Sequence, residues 1–375
     1  EAWAEMRARL ARLDLRAGNA RRAYRTAANH HLERASKAYA DLEWLAGYAA
    51  LKLGDAPTAL KHFEHLGGVV ESPISSARAG YWQGRALEHM GLMGEARAAY
   101  GRAAMNQTAF YGLLAAEALG LPYDPALRGE APLPDWRAGR YIDHSVVKAA
   151  IALHEAGADA LARRFILHLA ESGDASDIAR LTSLAEEWND ATLQVQLAKR
   201  VADSGQVLVS AYFPLGGIAH DALDVPSELA LAIARRESEF NPPAGSPVGA
   251  QGLMQLMPGT AEMMARKLAI PYEPARMFEP HYNARLGAAY LAELRARFSN
   301  SPVLVAAGYN AGPGRPKRWM EERGDPREAL VDIVDWIEMI PYEETRNYVM
   351  RVTESLPVYR MRLGGEGGPV RFTQI

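Results

Sequence analysis

The run LAIARRESEF at 231–240 places two glutamates two residues apart near the end of a helical pattern. Leu229, Ile233 and Phe240 form an apolar stripe at helical spacing, and the next place on that stripe after Ile233 is Glu237. A carboxyl group on a buried face loses hydration in its ionised form, so its pKa should rise. Each unit of such a rise corresponds to about 1.4 kcal/mol, and a glutamic acid poised near neutrality can donate a proton. Glu239 is turned roughly 200° about the helix axis and is expected to face water beside Arg235. On spacing alone, Glu237 also reads as a helix-end charge paired with Arg235 or Arg236.

The segment that follows is a loop with little freedom. Residues 241–252 hold three prolines and three glycines in twelve positions, which favours a fixed, non-repetitive path. Between Glu239 and Glu262 there is no Asp or Glu, so this loop supplies no second carboxylate to act beside Glu237. Leu253 to Met257 is apolar around one amide, Gln255, and Thr260 is expected to cap the next helix. Upstream, Asp224 is the expected cap of the glutamate-bearing helix and Pro226 belongs in its first turn.

Other chemistries find no support. There is no His-Glu-x-x-His helix, Walker loop or Gly-x-Ser-x-Gly elbow, and the ten histidines show no ligand spacing, so neither metal nor cofactor is expected. GGEGGPV near the C-terminus reads as a flexible tail. A formal charge of -3 gives no electrostatic case for nucleic acid, and no apolar run approaches the ~20 residues that span a bilayer. With no cysteine in 375 residues, disulfides and thiolate metal sites are excluded.

The elements that must position Glu237 come after a long helical half. Trp44, Gly47, Ala49, Gly54, Ala59 and Phe63 recur as Tyr81, Gly84, Ala86, Gly91, Ala96 and Tyr100, every pair offset by 37. Gly18, Ala23 and Ala27, and again Gly157, Ala162 and Ile166, echo the second half of that pattern. Each unit reads as a helix, a turn at Gly and a second helix whose Ala permits close packing; such hairpins bury their apolar faces only by stacking. The repeats resemble degenerate tetratricopeptide-like hairpins. The texture changes between Ser204 and Val225, which sets a boundary near 212: residues 1–212 as an α-superhelical solenoid and 213–375 as a second, mostly α domain.

Four blocks in that second domain resemble the soluble lytic transglycosylases of Gram-negative bacteria, a lysozyme-like family. They are ARRESEFNP with SPVGAQGLMQLMPGTA (234–242 and 246–261), NARLGAAYL (283–291), AGYNAGPGR (307–315) and IPYEETRNYV (340–349). The resemblance implies a periplasmic enzyme with a mainly α fold, a superhelical region preceding a lysozyme-like catalytic domain. It implies that Glu237 first protonates the glycosidic oxygen between N-acetylmuramic acid and N-acetylglucosamine, then takes the proton of the muramoyl C6 hydroxyl as that oxygen closes a 1,6-anhydro ring. The substrate's own N-acetyl group would stabilise the positive charge, making one glutamate sufficient. By the same resemblance Ser246, Gln255, Met257, Tyr309, Asn310, Glu344 and Tyr348 are expected to bind the glycan. Ser246 and Gln255 would orient the acetamido group and the glutamate, and Tyr309 would present its ring to a sugar or its hydroxyl to Glu237. Met254 divides between core and groove. The expected partners are peptidoglycan strands and, through the helical region, other cell-wall enzymes. Two alternatives remain at this stage: a muramidase-type hydrolase on the same fold and a non-catalytic peptidoglycan-binding scaffold.

Overall fold

The structure is a computed structural model that describes residues 2–34 and 36–374, so Glu1 and Ile375, the outer ends of the two expected domains, lie outside it. Among the described residues, regular structure is helical, and β pairing is confined to isolated bridges. The chain divides into two compact units. One comprises Glu1–Asp124, Trp319–Arg346 and Gly367–Ile375, and the other Pro125–Arg318 and Asn347–Glu366.

In the first unit, helices Ala2–Arg16 and Ala20–Ala28, Lys37–Lys52 and Ala56–Gly67, and Pro73–His89 and Met93–Ala104 form three hairpins. Each turns at a left-handed glycine, Gly18, Gly54 or Gly91, with φ of +76°, +78° and +74°. The residue after that glycine donates its N–H five residues back, as in Asp55 to Ala50 at 3.0 Å and Leu92 to Leu87 at 3.0 Å, which satisfies carbonyls the helix end would leave orphaned. The 37-residue repeat corresponds to one recurring contact. A Cβ on Gly47 would lie 2.6 Å from the Phe63 ring, and one on Gly84 2.4 Å from the Tyr100 ring, so in both hairpins an aromatic occupies the space a missing side chain leaves. Ala23, Ala59 and Ala96 are all buried at the helix crossings.

The centre of this unit holds Trp44, Tyr48, Phe63 and Trp82, with the Arg78 guanidinium 4.0 Å from the Trp44 ring centroid. Glu338, fully buried, lies among Arg78 at 3.2 Å, Arg12 at 3.6 Å and Arg346 at 3.9 Å, and accepts the Tyr111 hydroxyl. Burial pushes its carboxyl up, but the three arginines outweigh that and hold it below the ordinary value of 4.5. The C-terminal segment is not the flexible tail its glycines suggest. Val370 and Phe372 are buried, Val370 N–H donates to Leu121 O at 2.9 Å, and the Phe372 ring meets Phe110 edge-on, because two apolar side chains outweigh the entropy of the preceding glycines.

The second unit contains two more hairpins, Ser145–Glu155 with Asp159–Leu169 and Ala175–Glu187 with Ala191–Asp203. The first turns at Gly157, φ +74°, as its repeat position requires. The second makes the same turn at Asn189, φ +52°, with Asp190 N–H donating to Ala185 O at 3.0 Å. Asparagine tolerates the left-handed region, so a glycine-based repeat search passes over this hairpin. Beyond it come helices Ser227–Ser238, Pro258–Lys267, Pro280–Arg297 and Pro302–Ala311, and the later part of Glu343–Arg362.

Two expected caps are corrected. Pro226 itself occupies the cap position of Ser227–Ser238 without a side-chain bond, so Asp224 does not cap it. Thr260 lies inside helix Pro258–Lys267, whose cap position is Met257, because Pro258 already has the φ that begins a helix.

Candidate active site

Glu237 sits one residue from the end of its helix. Every residue from Leu229 to Arg235 is buried, so burial does not single out the stripe of Leu229 and Ile233; Glu237 is half-buried beyond them, and Phe240 is buried outside the helix. Its Oε1 accepts the Tyr348 hydroxyl at 2.6 Å. Tyr348 is 2% exposed; burial first and the charge of Glu237 second raise its hydroxyl well above 10, so it remains a proton-bearing donor at any physiological pH. Arg235 is committed elsewhere: its Nε donates to Tyr212 O at 2.7 Å and its guanidinium lies over the Tyr212 and Phe213 rings. Arg236 lies 5.8 Å over the Tyr348 ring.

Glu239 does not simply face water beside Arg235. It ends the helix in the left-handed region at φ +53° and pairs with Lys199 at 2.6 Å, half-buried. Phe240 follows at φ +61°. Two consecutive non-glycine residues in that region are strained, by about 1 kcal/mol or more each. The strain is held by Phe240 packing against Gly216, where a Cβ would lie 2.8 Å from the ring. The result is an abrupt stop that leaves Glu237 at the mouth of the following loop.

That loop is braced at several points. Ser246 accepts the Ala250 N–H on its hydroxyl at 2.9 Å and donates its own N–H to Ala250 O at 2.9 Å, closing a turn with Val248 at its exposed tip. Gln255, also left-handed at φ +48°, donates its amide to Ala244 O and Gly252 O, both at 2.9 Å. Met254 is fully buried against Gly287 and belongs to the core, whereas Met257 is 45% exposed. Tyr309 donates its hydroxyl to Met254 O at 2.8 Å, and its ring lies 5.4 Å from that of Tyr290. Of the two uses open to Tyr309, the hydroxyl is therefore directed to the loop backbone, and it is Tyr348 that reaches the glutamate. Burial first, then the nearby charge of Glu237, holds the Tyr309 hydroxyl protonated, well above 10.

The profile of the transglycosylase SLT domain family matches residues 217–331. The soluble lytic murein transglycosylases of Escherichia coli strain K12 and of Salmonella typhimurium are 31% identical over 294 residues and 33% identical over 297, each alignment covering 76% of this chain and 44% of the relative. The lytic transglycosylase Slt of Pseudomonas aeruginosa, solved as an inactive glutamate-to-glutamine variant, has a TM-score of 0.74 at 28% identity over 98% of this chain and 59% of that one. This chain belongs to the soluble lytic murein transglycosylase family. It is a lysozyme-like member preceded by helical hairpins, and it spans 44% of the length of the curated relatives it matches.

In this transglycosylase-family chain, Glu237, Ser246, Gln255, Met257, Tyr309, Asn310 and Tyr348 all fall in the second compact unit. Asn310 is half-buried one residue before the end of helix Pro302–Ala311. Glu344 is exposed in the first turn of Glu343–Arg362 and falls in the first unit. Two positioning residues escaped the sequence reading. Asn283, fully buried, accepts the Met254 N–H at 2.7 Å and donates to Gln251 O and Met277 O, both at 3.0 Å, clamping the loop from below. Ser238 donates to Leu253 O at 2.7 Å. The signal for Asn283 was present, since it opens the NARLGAAYL block as a polar residue on an otherwise apolar face. No helix among the described residues is long and apolar enough to cross a membrane.

Proposed function

We propose that this protein is a peptidoglycan lytic transglycosylase that cleaves the β-1,4 bond between N-acetylmuramic acid and N-acetylglucosamine with Glu237 as the only carboxyl catalyst. The observation that carries this reading is the pair Tyr348 Oη to Glu237 Oε1 at 2.6 Å, in a chain of this family, at the mouth of a loop with no other carboxylate. The carboxylic acid gives its proton to the glycosidic oxygen as the C1–O bond breaks. The resulting carboxylate then accepts the proton of the muramoyl C6 hydroxyl as that oxygen bonds to C1. Protons balance, no water is consumed, and the enzyme is restored.

Tyr348 keeps its hydroxyl hydrogen throughout, so it holds the Glu237 carboxyl in place while that group gives and takes the proton. Glu239, the nearest acid in sequence, pairs with Lys199 beyond the helix end and is not assigned a part in the reaction. Ser246, Gln255, Met257, Tyr309, Asn310 and Glu344 form the glycan-binding set in this reading, with Met257 offering exposed apolar surface to a sugar face. The catalytic chemistry begins beyond residue 212, within 213–375. The substrate's location makes the protein periplasmic, and other cell-wall enzymes are its proposed partners through the hairpins. The Pseudomonas relative, inactive once a glutamate becomes glutamine, fits chemistry centred on one such residue.

The test is mass spectrometry of purified sacculi digested by the whole chain. A product one water lighter than the hydrolysis product supports the lyase reading; reducing-end muramic acid would make it a muramidase. Glu237→Gln should lower turnover by about 10²–10⁴-fold, as expected for loss of a general acid and base. Undiminished turnover in that variant would sink the assignment, and a wild type that binds sacculi without cleaving them would make the protein a scaffold.

A further inference from the structure

The first compact unit holds a cluster of metal-ligating side chains that the proposed reaction does not use. Glu43 lies on helix Lys37–Lys52; His62 and His65, one turn apart, lie on Ala56–Gly67. Glu43 is 4% exposed, yet its Oε2 is 2.8 Å from His62 Nδ1 and 3.1 Å from His65 Nδ1. The three ligand atoms lie within 4.8 Å of one another. One carboxylate oxygen facing two imidazole nitrogens from a single helix is the donor set of a transition-metal site.

A fourth residue orients this set without joining it. His30 Nδ1 accepts the Leu32 N–H at 3.0 Å, so its proton must sit on Nε2, and that nitrogen donates to Glu43 Oε1 at 2.8 Å. The bond fixes the carboxylate plane and directs Oε2 at the two histidines, the relation that outer partners of metal ligands commonly have. His62 Nε2 lies 3.4 Å from the Tyr24 hydroxyl, while the His65 side chain is 46% exposed and gives access from solvent.

We propose that His62 Nδ1, His65 Nδ1 and Glu43 Oε2 bind one divalent transition-metal ion of the zinc class, with water in the fourth position, bracing the hairpin across the Gly54 turn. Metal–ligand distances of about 2.0–2.1 Å in a tetrahedron set ligand atoms roughly 3.3–3.4 Å apart, so the contacts of Glu43 Oε2 with the two histidines, at 2.8 and 3.1 Å, lengthen by only a few tenths of an ångström as the ion enters between them. Each histidine keeps one proton. It moves from Nδ1 to Nε2, where His62 meets the Tyr24 oxygen and His65 meets water. Two nitrogen donors and a single carboxylate oxygen disfavour calcium or magnesium, which take all-oxygen sets. Sequence spacing did not reveal the cluster because its carboxylate comes from another helix, 19 and 22 residues away from the two histidines.

The experiment uses the whole chain freed of metal with EDTA. Titration with Co²⁺ should give the visible d–d absorption of a tetrahedral site saturating at one equivalent, and Zn²⁺ should displace it and raise the thermal midpoint. His65→Gln, at an exposed position, should weaken Zn²⁺ binding by at least about tenfold, whereas His281→Gln, at an exposed histidine in the other unit, should leave it unchanged. Absence of the Co²⁺ band together with no Zn²⁺ binding tighter than about 1 mM overturns the proposal. So does equal binding by wild type and His65→Gln.

Discussion

Glu237 and Tyr348 are 111 residues apart in the chain and 2.6 Å apart in space. Helical phase put Glu237 on the face of Leu229 and Ile233, but it does not reach Glu239, which leaves the helix in the left-handed region and is half-buried like Glu237. Phase could not find Tyr348, since a bond between distant segments leaves no local spacing to read. Nor could it find the left-handed pair Glu239 and Phe240, whose conformation depends on the space at Gly216. At this scale we predict that Tyr348→Phe lowers kcat on sacculi by about tenfold to a hundredfold, the worth of a hydrogen bond to a charged group, with KM and the thermal midpoint little changed. A proportionate rise in KM at unaltered kcat would instead make Tyr348 a residue that only holds substrate.

The hairpins show what a sequence repeat states physically. The offset of 37 between Gly47 with Phe63 and Gly84 with Tyr100 was legible because one close contact, made twice, constrains the same two positions each time. The hairpin turning at Asn189 was not legible, since a second residue type can satisfy the same backbone requirement. This reading separates glycines that look alike in a helix. Gly84→Ala places a Cβ 2.4 Å from the Tyr100 ring and should destabilise by about 1–3 kcal/mol, the usual cost of overpacking. Gly101→Ala, in the next helix, has nothing within 4 Å and should stabilise by about 0.5–1 kcal/mol. Denaturant melts of the two variants check both signs, and a shared sign would refute the contact as the source of the repeat.

At the scale of the molecule, Glu338 gathers partners from both ends of the chain: Arg12 and Arg78 from the hairpins, Tyr111 from the helix Phe110–Ala118 that follows them, and Arg346 from the start of the last long helix. None of this was visible as sequence, where 338 belongs to the segment expected to serve catalysis. Its folded pKa is depressed, so its contribution to stability is full above the ordinary value of 4.5 and is lost as pH falls below it. Glu338→Gln should therefore cost about 3–5 kcal/mol at neutral pH, by leaving arginines buried without their carboxylate, and the gap to wild type should narrow below pH 4.5 in thermal melts. A gap that is constant from pH 7 to pH 3 would show that Glu338 carries no such charge. The same arrangement bears on how the protein is made. Arg78 is synthesised 260 residues before Glu338 and Arg12 326 residues before it. At roughly 5–20 residues per second, the first hairpins wait on the order of 10–60 s for the anion that completes their interior. Until then they present uncompensated cations within an aromatic cluster, so the opening third of the chain is born as an unfinished fold that its own last quarter must close.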